Sequence, residues 1–201
     1  SLEVWNALPS IFLKAHGIKV SHDINSELVS MNLPEAMEYF KQKFQLKSDI
    51  SAMVNECNEI IRDAYLYTIP LMPFAKEYLY FLQSNEIKMC VATASDYQMT
   101  CIALQRCKID TFFEFILTEE ETGKSKTYPD IFIQSSKKLG EDISDCVVFE
   151  DATYAMKTAS KAGFTVYGIK SVNHSSSQEN LSLHCDKCFS GYEELLEKKV
   201  L

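Results

Sequence analysis

The sequence contains no apolar run that approaches the ~20 residues of a bilayer-crossing helix, so no membrane span is expected. It also has no excess of basic residues, because 20 lysines and arginines stand against 28 aspartates and glutamates, for a net charge of −8. A nucleic-acid-binding protein would be expected to carry a basic surface, so this charge balance argues against such a partner. No internal repeat and no low-complexity tract interrupts the chain.

A disulfide framework is not indicated either. The seven cysteines are odd in number and scattered, and several lie inside apolar runs, where reduced cysteine behaves as a small hydrophobic residue. This usage predicts a reduced, cytoplasmic protein. Cys185 and Cys188 form a Cys-x-x-Cys motif, but a zinc site would need two more ligands at matching spacing, and none is nearby.

What the chain does contain is an ordinary globular composition, 46% hydrophobic and 24% charged in 201 residues. This length favours one large domain, or a core with a smaller appendage. In residues 1–68 apolar positions recur at helical spacing, with Gly17 ending one helix and Pro34 and Ser51 beginning two more. This first part is therefore predicted to be all helical, and the prolines that follow it mark a hinge.

Residues 69–201 change to alternating strands and helices. Strands are predicted at 88–94, 113–117, 147–150 and 165–169, and helices at 73–84, 97–107, 129–139, 152–162 and 191–199. The Ser-rich segment 171–180 is predicted to be a surface loop. Strands that alternate with helices of this length predict an α/β fold, a three-layer Rossmann-like core around a parallel sheet with right-handed crossovers.

Three polar signals lie at the ends of these predicted elements. The apolar run 147–149 ends on Glu150 and Asp151, and adjacent carboxylates in a sheet crevice suit Mg²⁺. The strand before residue 95 ends in small residues that include Thr93. Lys126 precedes the start of a helix. Together these groups predict a site that handles phosphate with the help of a metal ion.

Each signal also has a structural interpretation. Glu150 and Asp151 could be acidic residues in the first turn of a helix, where they are favourable without any ligand. Thr93 could be a β-branched strand residue, and Lys126 could belong to a solvated loop. Lys124 competes with Lys126 for the same role, although Lys126 has the better spacing to the helix.

These segments resemble the haloacid dehalogenase superfamily, in the branch of beta-phosphoglucomutase-like phosphatases with a helical cap. The matching residues are 91–95, 126–132 and 148–151, in the order and spacing of that family. The resemblance implies a cap over residues 1–68 and a core over residues 69–201. It also implies that Thr93 and Ala94 hold phosphate oxygens, that Lys126 neutralises charge, and that Glu150 and Asp151 bind Mg²⁺.

One motif of the family has no counterpart. The family attacks the phosphoryl group with an aspartate of an Asp-x-Asp-x-Thr motif on the first core strand, and these 201 residues do not contain that motif. We therefore expect roughly 15 to 20 further residues before Ser1, enough for a strand and a short loop, to carry the nucleophile. The alternative is a non-catalytic, phosphate-binding remnant.

The resemblance leaves two activities open. A phosphosugar mutase of this branch uses a cap histidine as general acid and base and a cap arginine for the distal phosphate. The corresponding positions are occupied by Trp5 and Leu33, which cannot shuttle a proton or bind a phosphate in a bidentate way. We therefore expect a phosphatase that acts on a small phosphorylated metabolite. The substrate itself and the oligomeric state stay open.

Overall fold

The computed structural model of the chain describes residues 2–20, 24–28, 31–170 and 183–200. The segment 171–180, predicted to be a loop, lies outside these ranges. The chain divides into two units, Ser1–Ile69 and Pro70–Leu201. The division falls next to the predicted hinge. No helix in the described ranges is both long and apolar enough to cross a bilayer.

The first unit is helical, and none of its described residues forms a strand. Its elements are α1 (Leu2–Ala15), α2 (Asn25–Leu28), α3 (Leu33–Phe44), α4 (Ile50–Asp63) and a π-helical turn (Ala64–Thr68).

Local capping explains where two of these helices begin. Asn32 accepts a hydrogen bond from the N–H of Glu35, whose side chain accepts one from the N–H of Asn32, and a proline follows at the helix start. Asp49 caps α4 by accepting from the N–H of Ser51. The core of the unit is apolar and fully buried, with Phe12 stacked on Phe40 at 6.2 Å between ring centroids.

The second unit contains five strands and six helices among its described residues. Its strands are β1 (Val91–Thr93), β2 (Ile116–Thr118), β3 (Val147–Glu150), β4 (Thr165–Ile169) and β5 (Lys187–Phe189). Its helices are α5 (Ala75–Ser84), α6 (Tyr97–Arg106), α7 (Glu119–Thr122), α8 (Asp130–Leu139), α9 (Thr153–Lys161) and α10 (Tyr192–Glu197). Short 3₁₀ turns cover Asp110–Phe112 and Ile143–Asp145.

All strand pairs are parallel, as the alternation of strands and helices predicted. β1 pairs with β2, and β4 lies between β3 and β5. Side chains alternate between two apolar clusters along β4, because successive strand residues point to opposite faces. Tyr167 and Ile169 belong to a cluster with α5 and α10, whereas Val166 belongs to a cluster with α8 and α9. Helices therefore cover both faces, and the three-layer α/β prediction is confirmed.

β1 and β3 each have one edge that pairs with no strand in the described part of the chain. The two pairs of strands nevertheless share a core, since Ala92 of β1, Leu117 of β2 and Val148 of β3 all contact the cluster under α8 and α9. The side chains of β1 and of Val147–Phe149 are only half-buried, whereas Val166–Ile169 of β4 is buried throughout. β1 and β3 are thus less covered than β4, which is paired on both sides.

The structure corrects three element predictions. β1 is confined to Val91–Thr93 rather than 88–94, and β2 begins only at Ile116, because a 3₁₀ turn and an extended segment precede it. β5 was not predicted at all, because Lys187–Phe189 is too short and too mixed in polarity to show a periodic pattern. It becomes a strand because its backbone pairs with β4.

Candidate active site

Three of the parallel strands end in polar residues. Thr93 and Thr118 are register partners at the ends of β1 and β2, and Glu150 ends β3. The carboxyl ends of parallel strands form the crevice in which α/β proteins bind ligands. Lys126 contacts both Glu119, which follows β2, and Glu150, which ends β3, so these termini lie at one edge of the unit.

Thr93 and Ala94 form the turn between β1 and α6. The hydroxyl of Thr93 accepts a hydrogen bond from the N–H of Ser95 at 3.0 Å. Asp96 then begins α6 by accepting from the N–H of Met99 at 2.9 Å. Thr93 is half-buried and Ala94 is exposed, so this turn presents a hydroxyl and backbone groups at the end of the strand.

Lys126 joins the loop after β2 to the end of β3. Its ammonium group donates to Oε2 of Glu150 at 2.8 Å, and the two side chains are only 14% and 7% exposed. Its backbone N–H donates to Oε1 of Glu119, the residue that follows β2, at 2.5 Å. Lys126 therefore bridges the two strand ends with its backbone and its side chain.

Lys124, the competing lysine, has a different environment. Its ammonium group pairs with Asp130 at 2.9 Å and lies over the ring of Tyr128. Both members of that pair are more exposed than Lys126 and Glu150. Lys124 thus stabilises the start of α8, and of these two lysines only Lys126 forms an ion pair with the acidic end of β3.

Glu150 is held at both carboxylate oxygens. Oε1 accepts from the backbone N–H groups of Asp151 and Ala152 at 3.0 and 3.1 Å, while Oε2 accepts from Lys126. Burial by itself raises the pKa of Glu150. The positive charge and hydrogen bond of Lys126, with the N–H of Ala152, outweigh burial and hold this pKa below its ordinary value. Glu150 is therefore ionised at neutral pH.

Asp151 is less restrained than its neighbour. Its side chain is solvent-accessible, and it forms no ion pair with any lysine or arginine in the described ranges. Burial, followed by a side-chain hydrogen bond with Glu150 and by the charge of Glu150, raises the pKa of Asp151 above its ordinary value. A solvent-accessible carboxylate that lies next to a second carboxylate and has no ion-pair partner among the described residues is suited to receive a cation.

Sequence reasoning missed two residues at this edge, Glu119 and Tyr154. Glu119 positions the backbone of Lys126, and its place directly after a strand end was the available signal. Tyr154 lies in the first turn of α9 and is about half-exposed. Burial, followed by the charges of Glu150, Glu119 and Asp151, raises the pKa of its hydroxyl.

The described residues include no group of three or more histidine, cysteine, aspartate or glutamate side chains that could enclose a metal ion. A fully protein-enclosed metal centre is therefore not formed by these residues alone. Glu150 and Asp151 still fit Mg²⁺, because that ion keeps several of its waters and is commonly bound through one or two carboxylates and the substrate phosphate.

Comparisons with known proteins identify the family of the chain. A family model described as haloacid dehalogenase-like hydrolase matches residues 4–169. The phosphorylated carbohydrates phosphatase of Thermotoga maritima is 20% identical over 157 residues, which cover 78% of this chain and 73% of that protein.

Solved structures are similar over almost the whole chain. A Thermotoga maritima protein with a provisional beta-phosphoglucomutase assignment has a TM-score of 0.83 at 20% identity, over 100% of this chain and 91% of that one. The HAD-hydrolase YfnB of Bacillus subtilis, bound to magnesium, has a TM-score of 0.76 at 11% identity, over 100% of this chain and 92% of that one. At these identities the likeness establishes the fold.

Proposed function

The chain belongs to the haloacid dehalogenase-like hydrolase family, and from this premise we propose that it is a Mg²⁺-dependent phosphatase of small phosphorylated metabolites. The observation that carries the proposal is the contact between Lys126 and Glu150. It holds a buried ammonium group beside the carboxylates of Glu150 and Asp151, at the carboxyl ends of parallel strands. The phosphatase of phosphorylated carbohydrates among its relatives supports the substrate class.

In this proposal, neutral groups bind the phosphate and a charged group neutralises it. The hydroxyl of Thr93 and the backbone at Ala94 bind phosphate oxygens, and the ammonium group of Lys126 neutralises the charge on the phosphoryl group. Phosphoryl transfer depends mainly on positioning and electrostatic stabilisation, so a buried ammonium group at this place is of direct use.

Asp151 and Glu150 would hold the metal ion, but not in the same way. Both oxygens of Glu150 already accept hydrogen bonds, whereas Asp151 has no ion-pair partner among the described residues. We infer that Asp151 is the direct ligand, and that Glu150 contributes charge and positions Lys126. When bound, Mg²⁺ supplies charge stabilisation at the phosphate oxygens. The magnesium-bound YfnB structure supports this choice of ion.

The nucleophile is proposed to be an aspartate on a further parallel strand that pairs with the open edges of β1 and β3. The half-buried side chains of both strands support this, since such a strand would cover them. It would also satisfy backbone groups that otherwise cost ~1–3 kcal/mol each when buried without a partner. The aspartate oxygen would attack phosphorus, the ester oxygen would leave with the bonding electrons, and water would then hydrolyse the aspartyl-phosphate.

The experiment compares the 201-residue chain with a chain extended at its N-terminus by the preceding residues of its gene. We expect Mg²⁺-dependent release of phosphate from p-nitrophenyl phosphate only from the extended chain, and its loss when the upstream aspartate is changed to asparagine. Activity of the 201-residue chain that Asp151→Asn abolishes would show that the nucleophile is assigned wrongly. An inactive extended chain that still binds phosphate would favour the non-catalytic alternative.

Product analysis separates a phosphatase from a mutase. A phosphatase transfers the phosphoryl group to water, so free phosphate should accumulate in step with substrate loss. A mutase would isomerise a hexose phosphate with little release of phosphate. Trp5 lies half-exposed on α1 and Leu33 begins α3, and neither side chain can replace the histidine and arginine of a mutase.

A further inference from the structure

Two cysteines outside the candidate active site, Cys185 and Cys188, have their sulfur atoms next to the same glycine. Gly168 of β4 is the register partner of Cys188 in β5. A Cβ atom added to Gly168 would lie 3.1 Å from Sγ of Cys185 and 3.5 Å from Sγ of Cys188. Because glycine has no Cβ, both sulfur atoms can approach the same point on the backbone of β4, where they form a side-chain hydrogen bond with each other.

The segment between the two cysteines is fixed to the sheet. Asp186 donates its N–H to the carbonyl of Val166 at 2.8 Å, and its carboxylate accepts from the N–H of Val166 at 2.7 Å. This pair of bonds holds the turn before β5 against β4. The backbone positions of the two cysteines on either side of this turn are therefore fixed by the fold.

The thiol pair is accessible to a small reagent. Cys185 and Cys188 are each only half-buried, so neither residue is enclosed in the core. A metal centre is not supported, since no group of three potential ligand side chains occurs in the described ranges. Two adjacent thiols without further ligands are suited to thiol–disulfide chemistry instead.

We propose that Cys185 and Cys188 form a reversible dithiol–disulfide site on β4 and β5. With a peroxide as oxidant, the two S–H bonds and the O–O bond break and one S–S bond forms. The two protons and two electrons that leave the thiols reduce the peroxide to water or to water and an alcohol. A low-molecular-weight disulfide would serve by exchange and be released as two thiols.

The environment of Cys185 sets the conditions under which this site reacts. Burial and the neighbouring Cys188 raise the pKa of the Cys185 thiol, so that little thiolate is present at neutral pH. The thiolate is the attacking species in disulfide formation. Oxidation should therefore be slow at neutral pH and become faster as the pH is raised, in contrast to a redox catalyst with an activated thiol.

The test treats the reduced, folded 201-residue chain with excess oxidised glutathione and follows each cysteine by mass spectrometry. Remaining thiols are blocked with N-ethylmaleimide, and cleavage after glutamate leaves both cysteines on the peptide 180–193. We expect this peptide to become lighter by two hydrogen atoms and to escape blocking, before any other pair of the seven cysteines is linked. Dithiothreitol should restore it.

Matched variants distinguish a specific pair from general oxidation. In Cys185→Ser or Cys188→Ser the remaining thiol should stay open to N-ethylmaleimide or carry glutathione, whereas Cys101→Ser should leave the 185–188 disulfide unchanged. The proposal is overturned if both cysteines remain fully blocked by N-ethylmaleimide after oxidation. It is also overturned if other cysteine pairs form as fast, or if each thiol links to a distant cysteine.

Discussion

The ammonium group of Lys126 lies 2.8 Å from Oε2 of Glu150, although the two residues are 24 positions apart in the chain. Both side chains are largely buried, so each charge depends on the other for its neutralisation. Glu150 is further held by two backbone N–H groups, which fix the direction of the ion pair. The end of β3 and the loop after β2 are thus joined by one buried ion pair, and the predictions for Lys126 and Glu150 depend on it directly.

Lys126→Ala should remove most of the hydrolytic activity of the N-terminally extended chain, by about 10²–10³-fold in kcat, since a buried positive charge that stabilises the phosphoryl group is lost. Lys124→Ala is the matched control. Lys124 pairs with Asp130 nearer the surface, so its loss should change activity little. Steady-state hydrolysis of p-nitrophenyl phosphate measures both, and equal losses would remove the special role of Lys126.

Glu150→Gln should destabilise the second unit, because the ammonium group of Lys126 would lose its ionised partner while remaining buried. The expected loss is about 1–3 kcal/mol in the free energy of unfolding, measured by urea denaturation at pH 7. In the unmodified chain the lowered pKa of Glu150 contributes stability above the unfolded value of ~4.3, and this is lost as the pH falls through the lower folded value. An unchanged acid dependence in Glu150→Gln would contradict this assignment.

Asp151→Asn should have opposite effects on activity and on stability. The raised pKa of Asp151 means that protonation stabilises the fold at low pH, and that this contribution is lost as the pH rises through the folded pKa. The variant should therefore melt at a higher temperature than the unmodified chain at pH 7 in the presence of a chelator. In the extended chain, Mg²⁺ should raise the melting temperature of the unmodified protein and not that of Asp151→Asn. Equal stabilisation of both by Mg²⁺ would exclude Asp151 as a ligand.

Thr93→Val should raise the KM for a phosphate monoester by about tenfold, which corresponds to the loss of one hydrogen bond to a charged oxygen. Thr93→Ser retains the hydroxyl and should remain close to the unmodified enzyme. The hydroxyl also accepts from the N–H of Ser95, so the melting temperature of both variants must be measured as well. If the KM of Thr93→Val stays unchanged in a folded protein, the hydroxyl does not bind phosphate.

Glu194 provides a pH test that is independent of the active site. Its carboxylate accepts from Lys198 and from the backbone and hydroxyl of Ser190, which lowers the pKa of Glu194 to about 2. Its stabilising effect should be complete above the unfolded pKa of ~4.3 and be lost as the pH falls through about 2. Thermal unfolding of Glu194→Gln should be less dependent on pH between these values. Identical profiles would show that the contact contributes nothing.

Fold class was predictable from the sequence because it rests on local periodicity. Apolar spacing of three and four residues predicted the helices of the first unit, and short apolar runs such as Val147–Phe149 predicted buried strands. Strand bounds were less predictable at β1 and β2, and β5 was missed, since pairing with a neighbouring strand decides whether a short segment is extended. The division into cap and core, and the roles assigned to the site residues, stay predictions.

The sequence alone determined the residue types and their order: a hydroxyl after one strand, a lysine before a helix, and two carboxylates after another strand. It did not determine which lysine meets the carboxylates, because Lys124 and Lys126 are only two positions apart and their partners lie elsewhere in the chain. Only the tertiary structure decided this, by placing Asp130 beside one and Glu150 beside the other. The tertiary structure also decided that the sulfur atoms of Cys185 and Cys188 lie next to Gly168. Contacts between strands depend on their register, which is a property of the folded sheet.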